Sequence, residues 1–286
     1  GRHKYFYLRV GRLNIIKKLI VVFCVALTFS AVYGLKPGKA DMDDHAFVSV
    51  RKLLSETDVT EEFLIRTFSD TSVRIYSEIP QRFKSPYEKR PYSKYRKLFI
   101  TNKRIERGVE FFKTNKDLMM AVTDSFGVDP MLLLSISGIE SNHGNNHGGF
   151  LVFSALYTTI HTLPNRESWA AKELAAFLLY CYQDKIDPHS LSGSYAGAFG
   201  FGQFIPSSFN HYAIDFNGDD VRQPYEWPDV LASIANYLLK NGYDPKEKET
   251  KKGSKSWNSI YAYNHSENYV EVVLELSEEY RKRIKD

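Results

Sequence analysis

From Asp44 onward the apolar residues recur every three or four positions, and no stretch of any length alternates with period two. That spacing lines one face of a helix, whereas a half-buried strand needs alternation, so the chain is expected to be mainly α with little β structure. Phe47, Val48, Val50, Leu53 and Leu54 begin the pattern, and Phe63, Leu64, Ile65 and Phe68 continue it. The polar, Pro-bearing segment from Ile79-Pro80 to Arg90-Pro91 reads as an extended connection. One stripe, Ile105, Val109, Phe112, Leu118, Ala121 and Phe126, predicts a helix over 96–126 that Gly127 stops. Asp129-Pro130 supplies a cap and a first helical position for a helix from Met131 to Glu140. Further helices are expected at 167–184, 227–241 and 266–283. Lys246 to Lys255 alternates charge without apolar anchors and reads as a solvated loop.

The chain has 286 residues, enough for a sizeable core in one large or two small domains. Its net charge of +4 is localised: six of the 38 basic residues lie in the acid-free stretch 1–18. The remainder holds 32 basic against 34 acidic residues, so no basic field exists to attract nucleic acid. Behind the basic stretch, Leu19 to Val32 is apolar except for Thr28 and Ser30. Residues 1–34 therefore read as a secretory signal peptide or, if uncleaved, as an N-terminal membrane anchor, which implies export to the cell envelope. Of two cysteines, Cys24 lies in that segment and Cys181 in an apolar helical stretch, where it reads as a buried thiol.

Glu140 is the only acidic residue between Met131 and Arg166, and it lies four residues after Ile136 and seven after Leu133. A carboxyl at the end of an apolar helix is expected to be desolvated, which raises its pKa toward the range of a general acid. The alternative is an exposed Glu on the last helical turn. His143 and His147 have a spacing that two zinc ligands on one helix would show, but Gly144 and Asn145-Asn146 end the helix, so a metal is not expected there.

Gly193-Ser-Tyr-Ala-Gly-Ala-Phe-Gly-Phe-Gly-Gln-Phe204 interleaves glycines with aromatics, bringing backbone close to a neighbour while presenting flat rings. It matches neither a dinucleotide fingerprint nor a nucleophile elbow. Gln203 is the polar residue there best suited to face a ligand; plain helix packing is the alternative. Asp215, Asn217, Asp219, Gln223 and Glu226 fall at positions 1, 3, 5, 9 and 12 of an EF-hand-like loop, with the Val221 carbonyl at 7. Gly falls at position 4 and Asp220 at position 6, so an acidic turn remains the alternative to a calcium site. Tyr263-Asn264-His265-Ser266 precedes the last helix, with Asn264 or Ser266 as cap.

Together these blocks resemble the MltB-like lytic transglycosylases, exported enzymes that cleave bacterial peptidoglycan. The resemblance rests on Tyr95 to Thr101, Gly127 to Ser141, Gly193 to Ser208, Asp215 to Tyr237 and Tyr263 to Ser266, in order. It implies a lysozyme-like helical catalytic domain over 93–286, preceded by a helical region and linker at 35–92. The family's single catalytic acid falls on Glu140. Its glycan-binding residues fall on Tyr95, Ser194, Gln203, Tyr263, Asn264 and Tyr269. Its calcium loop falls on Asp215, Asn217, Asp219 and the Val221 carbonyl, closed by Asp229 with Glu226 as the local alternative; no organic cofactor is implied. The implied reaction cuts the β-1,4 bond between N-acetylmuramic acid and N-acetylglucosamine in glycan strands and leaves 1,6-anhydro-muramyl ends. Hydrolysis by a muramidase, or glycan binding without catalysis, are the alternatives. Two departures stand out: only Asn241 to Ser256 replaces the prototype's β-rich insertion, and no Trp follows Glu140, where Asn142-His143 stands instead.

Overall fold

The computed structural model describes residues 42–84, 90–247 and 249–284. The signal or anchor expected at 1–34 lies outside them. The described chain is mainly α, as the spacing predicts. Helices α1 (His45–Leu53) and α2 (Glu61–Phe68) start at Asp44 and Thr60, whose side chains accept the Phe47 and Phe63 amides. The expected extended connection instead contains a one-turn helix, α3 (Ile79–Arg82). A second short helix, α4 (Tyr92–Tyr95), leads through a 3-10 turn into α5 (Asn102–Thr114) and α6 (Lys116–Phe126).

The single helix expected over 96–126 is therefore broken. The Asn115 side chain and backbone N–H both donate to the Phe111 carbonyl, at 2.9 and 3.0 Å, so the Asn side chain competes with the helical ladder and the chain turns. Gly127, at φ 70°, ends α6 in the left-handed conformation that glycine adopts without strain.

Helix α7 (Pro130–Ser141) is buried from Met131 to Ile139 on every side. It thus carries no single apolar stripe; it is the central helix. Packed around it are α5, α6, α11 (Trp227–Lys240) and α13 (Glu267–Arg283). The other half of the core forms around α9 (Glu167–Gln183), which touches α1, α8 (Val152–Thr162) and α10 (Pro206–Tyr212). A two-residue antiparallel ladder pairs β1 (Phe150–Leu151) with β2 (Ser192–Gly193). A Cβ on Gly148 would lie 2.0 Å from the Gly193 carbonyl oxygen, so this crossing needs glycine. Helix α12 (Lys255–Tyr263) follows α11 closely, without a β-rich insertion.

Candidate active site

Glu140 lies on the last turn of α7 and is half-buried. The Tyr269 hydroxyl, from the first turn of α13, donates to its Oε1 at 2.6 Å. Ser266 caps that turn by accepting the Tyr269 amide at 3.4 Å, which settles the choice between Asn264 and Ser266. The Tyr263 ring lies parallel to that of Tyr269, with centroids 6.4 Å apart. Burial first, and then the Glu140 carboxylate, push both phenols well above their ordinary pKa. Each phenol therefore stays a hydrogen-bond donor at any working pH. Among the described residues, Glu140 is the carboxylate that most strongly raises both phenols.

From Tyr263 the contacts run into the glycine-aromatic block. Its hydroxyl donates to the Gly202 carbonyl at 2.6 Å, joining the Tyr263-Asn264 corner to Gln203. Gln203 adopts φ 50°, an uncommon conformation for a non-glycine residue. Its Nε2 donates to the carbonyls of His147 at 3.0 Å and Gly200 at 2.8 Å, which holds the strained turn. Ser194 Oγ accepts the Ala196 and Ala198 amides, both at 3.2 Å. Ser194, Gln203, Tyr263 and Asn264 are all half-buried, as groups that meet a ligand should be. Tyr95 and Tyr269 are 2% and 1% exposed, so they support the site from behind rather than offer open ring faces. Tyr95 acts on the Tyr269 phenol, and its own segment is tied to α13 by Tyr92 and Arg96, which both bond Glu275.

In the acidic loop, Asp215 accepts the amides of Gly218, Asp219 and Asp220. Asn217 Nδ2 sits 3.2 Å from Asp219 Oδ2 and 3.3 Å from Glu226 Oε2. Turned over, that amide would place its oxygen between two carboxylates, an arrangement that suits a hard cation. Asp229, 1% exposed, accepts the amides of Phe216, Asn217 and Gln223, and burial raises its pKa. Among the described residues no three His, Cys, Asp or Glu side chains stand close enough to hold a metal as arranged. The donor chemistry fits calcium; the side chains would have to turn inward to bind it.

The structural roles of His143, Tyr280 and Arg104 are not apparent from spacing. His143 is buried against Phe111, 5.0 Å away and nearly parallel, with Nδ1 3.3 Å from Ser137 Oγ and Nε2 3.0 Å from the Tyr280 hydroxyl. Ser137 donates its own proton to the Leu134 carbonyl, so the imidazole carries hydrogen on Nδ1 and accepts from Tyr280. Burial, then Arg104 and Arg107, hold its pKa down at about 3, so it is neutral and structural. Arg104 donates to the Gly138 carbonyl on the same helix turn. The signal for His143 in the sequence was the position itself, directly after the Glu140 helix. His147 packs against Phe201 and Tyr225, with ring centroids 5.4 and 5.2 Å away.

The profile of the transglycosylase SLT domain family matches residues 43–254. Membrane-bound lytic murein transglycosylase B of Escherichia coli (strain K12) is 37% identical over 150 residues, 52% of this chain and 42% of that protein. The chain therefore spans less than half the length of that curated relative. Catenated lytic transglycosylase SltB1 of Pseudomonas aeruginosa superposes with a TM-score of 0.77 at 27% identity, over 84% of this chain and 98% of that one. The Escherichia coli lytic transglycosylase Slt35, in a complex with calcium, gives a TM-score of 0.77 at 22% identity, over 88% of this chain and 98% of that one. These likenesses identify the helical architecture as lysozyme-like. With the family profile matching well over half of its length, the chain belongs to the transglycosylase SLT domain family.

Proposed function

We propose that this chain is a lytic transglycosylase of the bacterial cell envelope, in which Glu140 is the single acid and base. The observation that carries the reading is the Tyr269–Glu140 hydrogen bond at 2.6 Å, at the end of a helix where the sequence offers no second acid between Met131 and Arg166. Ordinary glycosidases use two carboxylates flanking the bond to be cut. A lone carboxyl suits a reaction in which the substrate supplies the second group.

In this reading Glu140 starts protonated and gives its proton to the oxygen linking N-acetylmuramic acid to N-acetylglucosamine. The C1–O bond breaks, and the acetamido oxygen of the muramyl residue stabilises the positive centre. Glu140, now ionised and held by Tyr269, takes the proton of the muramyl C6 hydroxyl. The C6 oxygen then closes on C1, giving the 1,6-anhydro ring and regenerating the protonated acid, with no water consumed. Ser194, Gln203 and Asn264 orient hydroxyl or acetamido groups, and the half-buried Tyr263, parallel to Tyr269, offers a ring surface to a sugar.

Calcium, when bound in the 215–229 loop, supplies structural cross-linking. Asp215, Asn217, Asp219 and the Val221 carbonyl would hold it, closed by Asp229 or Glu226. The Phe201 amide donates to the Pro224 carbonyl at 2.8 Å, so the loop borders the turn that carries Gln203.

The test is product mass spectrometry on purified sacculi. Anhydro-muropeptides are expected from the unaltered chain and none from Glu140→Gln. Products heavier by one water would assign a hydrolytic muramidase, and binding without any release would assign a glycan-binding protein.

A further inference from the structure

Next to Ser194 the site runs into a layer of aromatic rings contributed by the N-terminal segment. Tyr195 meets Phe83 edge-on at 4.9 Å, and Phe150, whose strand pairs with Ser192–Gly193, meets Tyr76 edge-on at 4.9 Å. The layer is fixed in place. The Tyr76 hydroxyl accepts the Leu151 amide at 3.1 Å, and the Tyr76 amide donates to Thr158 Oγ1 at 3.0 Å.

Two exposed guanidinium groups lie on these rings. Arg74 is 5.0 Å from the Tyr76 centroid and Arg82 is 5.3 Å from that of Phe150. Among the described residues neither pairs with a carboxylate, and Glu78, the one acid between Val73 and Phe83, bonds neither. Stacking on a ring fixes the plane of a guanidinium and leaves its donor fork open. An open fork on a rigid aromatic platform matches a carboxylate carried by a chain that also offers flat, apolar sugar faces.

We propose that Arg74 and Arg82, on the Tyr76–Phe150 platform beside Ser194, bind carboxylates of the peptides that branch from the glycan, so that the protein selects peptide-bearing over bare strands. This rests on the peptidoglycan reading above. It assigns to the N-terminal helical segment a part in substrate choice, distinct from the bond-cutting end of the site.

The test reads binding rather than product, so it stands whether or not cleavage is observed. The full chain carrying Glu140→Gln is titrated calorimetrically with soluble glycan strands that keep their peptides and with the same strands stripped of peptide by an amidase. Tighter binding to the peptide-bearing form, at least fivefold, is expected at low salt and should shrink as salt rises. Adding Arg74→Gln and Arg82→Gln should remove that difference while binding to stripped glycan changes less than twofold. Equal affinity of the parent for the two forms, an equal loss on both, or no loss on either overturns the proposal. Thermal melts of the variants confirm folding, because both side chains are exposed.

Discussion

Tyr280 and His143 meet at 3.0 Å, three helical turns along α13 from the place where Tyr269 meets Glu140. One helix thus grips the end of α7 twice, once at the carboxyl and once just beyond it. The second grip is needed because Asn142, His143 and Gly144 all take positive φ, at 51°, 53° and 80°. Consecutive left-handed non-glycine residues are strained, and the buried imidazole holds them in place. The direction in which Glu140 leaves its helix is therefore set from α13.

Replacing Tyr269 with Phe removes the phenol that holds Glu140 and keeps the ring. A hydrogen bond to a charged group is worth about 1.5–3 kcal/mol, so kcat should fall roughly 10- to 100-fold. KM should change little, since Tyr269 is sealed behind the site. Steady-state kinetics on soluble glycan strands measure both; a change confined to KM would show that the bond does not serve catalysis.

His143 makes the fold acid-sensitive. Its pKa is held down at about 3 in the folded chain by burial, against an ordinary value of 6.5. The unfolded chain therefore binds the proton first, and stability contributed by the neutral imidazole is complete above pH 6.5 and is lost as pH falls toward 3. The slope is about 1.4 kcal/mol per pH unit, or about 2 kcal/mol between pH 7 and 5. Urea unfolding at the two pH values should show that loss in the parent and its absence in His143→Phe. Equal losses in both would place the acid sensitivity elsewhere.

How much of this was legible depends on how each residue is constrained. The α7 cap at Asp129, its stop signals and Glu140 follow from local chemistry that the chain prints in order. The stop between α5 and α6 was hidden because Asn115 interrupts an apolar stripe that otherwise continues. Helix α8 is not legible locally because Val152–Thr162 is buried nearly all round and rich in β-branched residues, so it shows no periodic face. Helices α10 and α12, of seven and nine residues, are too short for a three- and four-residue spacing to stand out. In the site, the resemblance supplied Tyr269 by position. That it bonds Glu140 while Tyr280 holds His143 depends on α13 lying against α7, which no local pattern encodes.

Gly108 is tested by a substitution that helix propensity alone would favour. Alanine in a helix interior gains about 1 kcal/mol over glycine. Here an added Cβ would lie 2.3 Å from Tyr280 Cε1 and 2.4 Å from its hydroxyl oxygen. The ring is wholly buried and bonded to His143, so it has nowhere to move without releasing the α7 end. Gly108→Ala should therefore destabilise by about 1–3 kcal/mol and lower kcat as well. Thermal melts with kinetics decide it; a stabilised variant would mean that α5 and α13 are less closely packed than described.

The 215–229 loop offers two carboxylates for closing a calcium site, and they differ in what they do without the ion. Asp229 already organises the loop through three backbone amides, while the exposed Glu226 side chain meets, among the described residues, the Asn217 amide. A group that already faces the loop backbone from inside needs less rearrangement to reach an ion there. Calcium at about 100 times its Kd should stabilise the chain by about 2.7 kcal/mol, raising Tm by several degrees. That rise should persist in Glu226→Gln and vanish in Asp219→Ala and Asp229→Asn. Melts with calcium and with a chelator measure it, and a rise lost in Glu226→Gln but kept in Asp229→Asn would make Glu226 the closing ligand. A chain whose melting ignores calcium altogether would return the loop to an acidic turn, held by Asp215 and Asp229 through backbone hydrogen bonds alone.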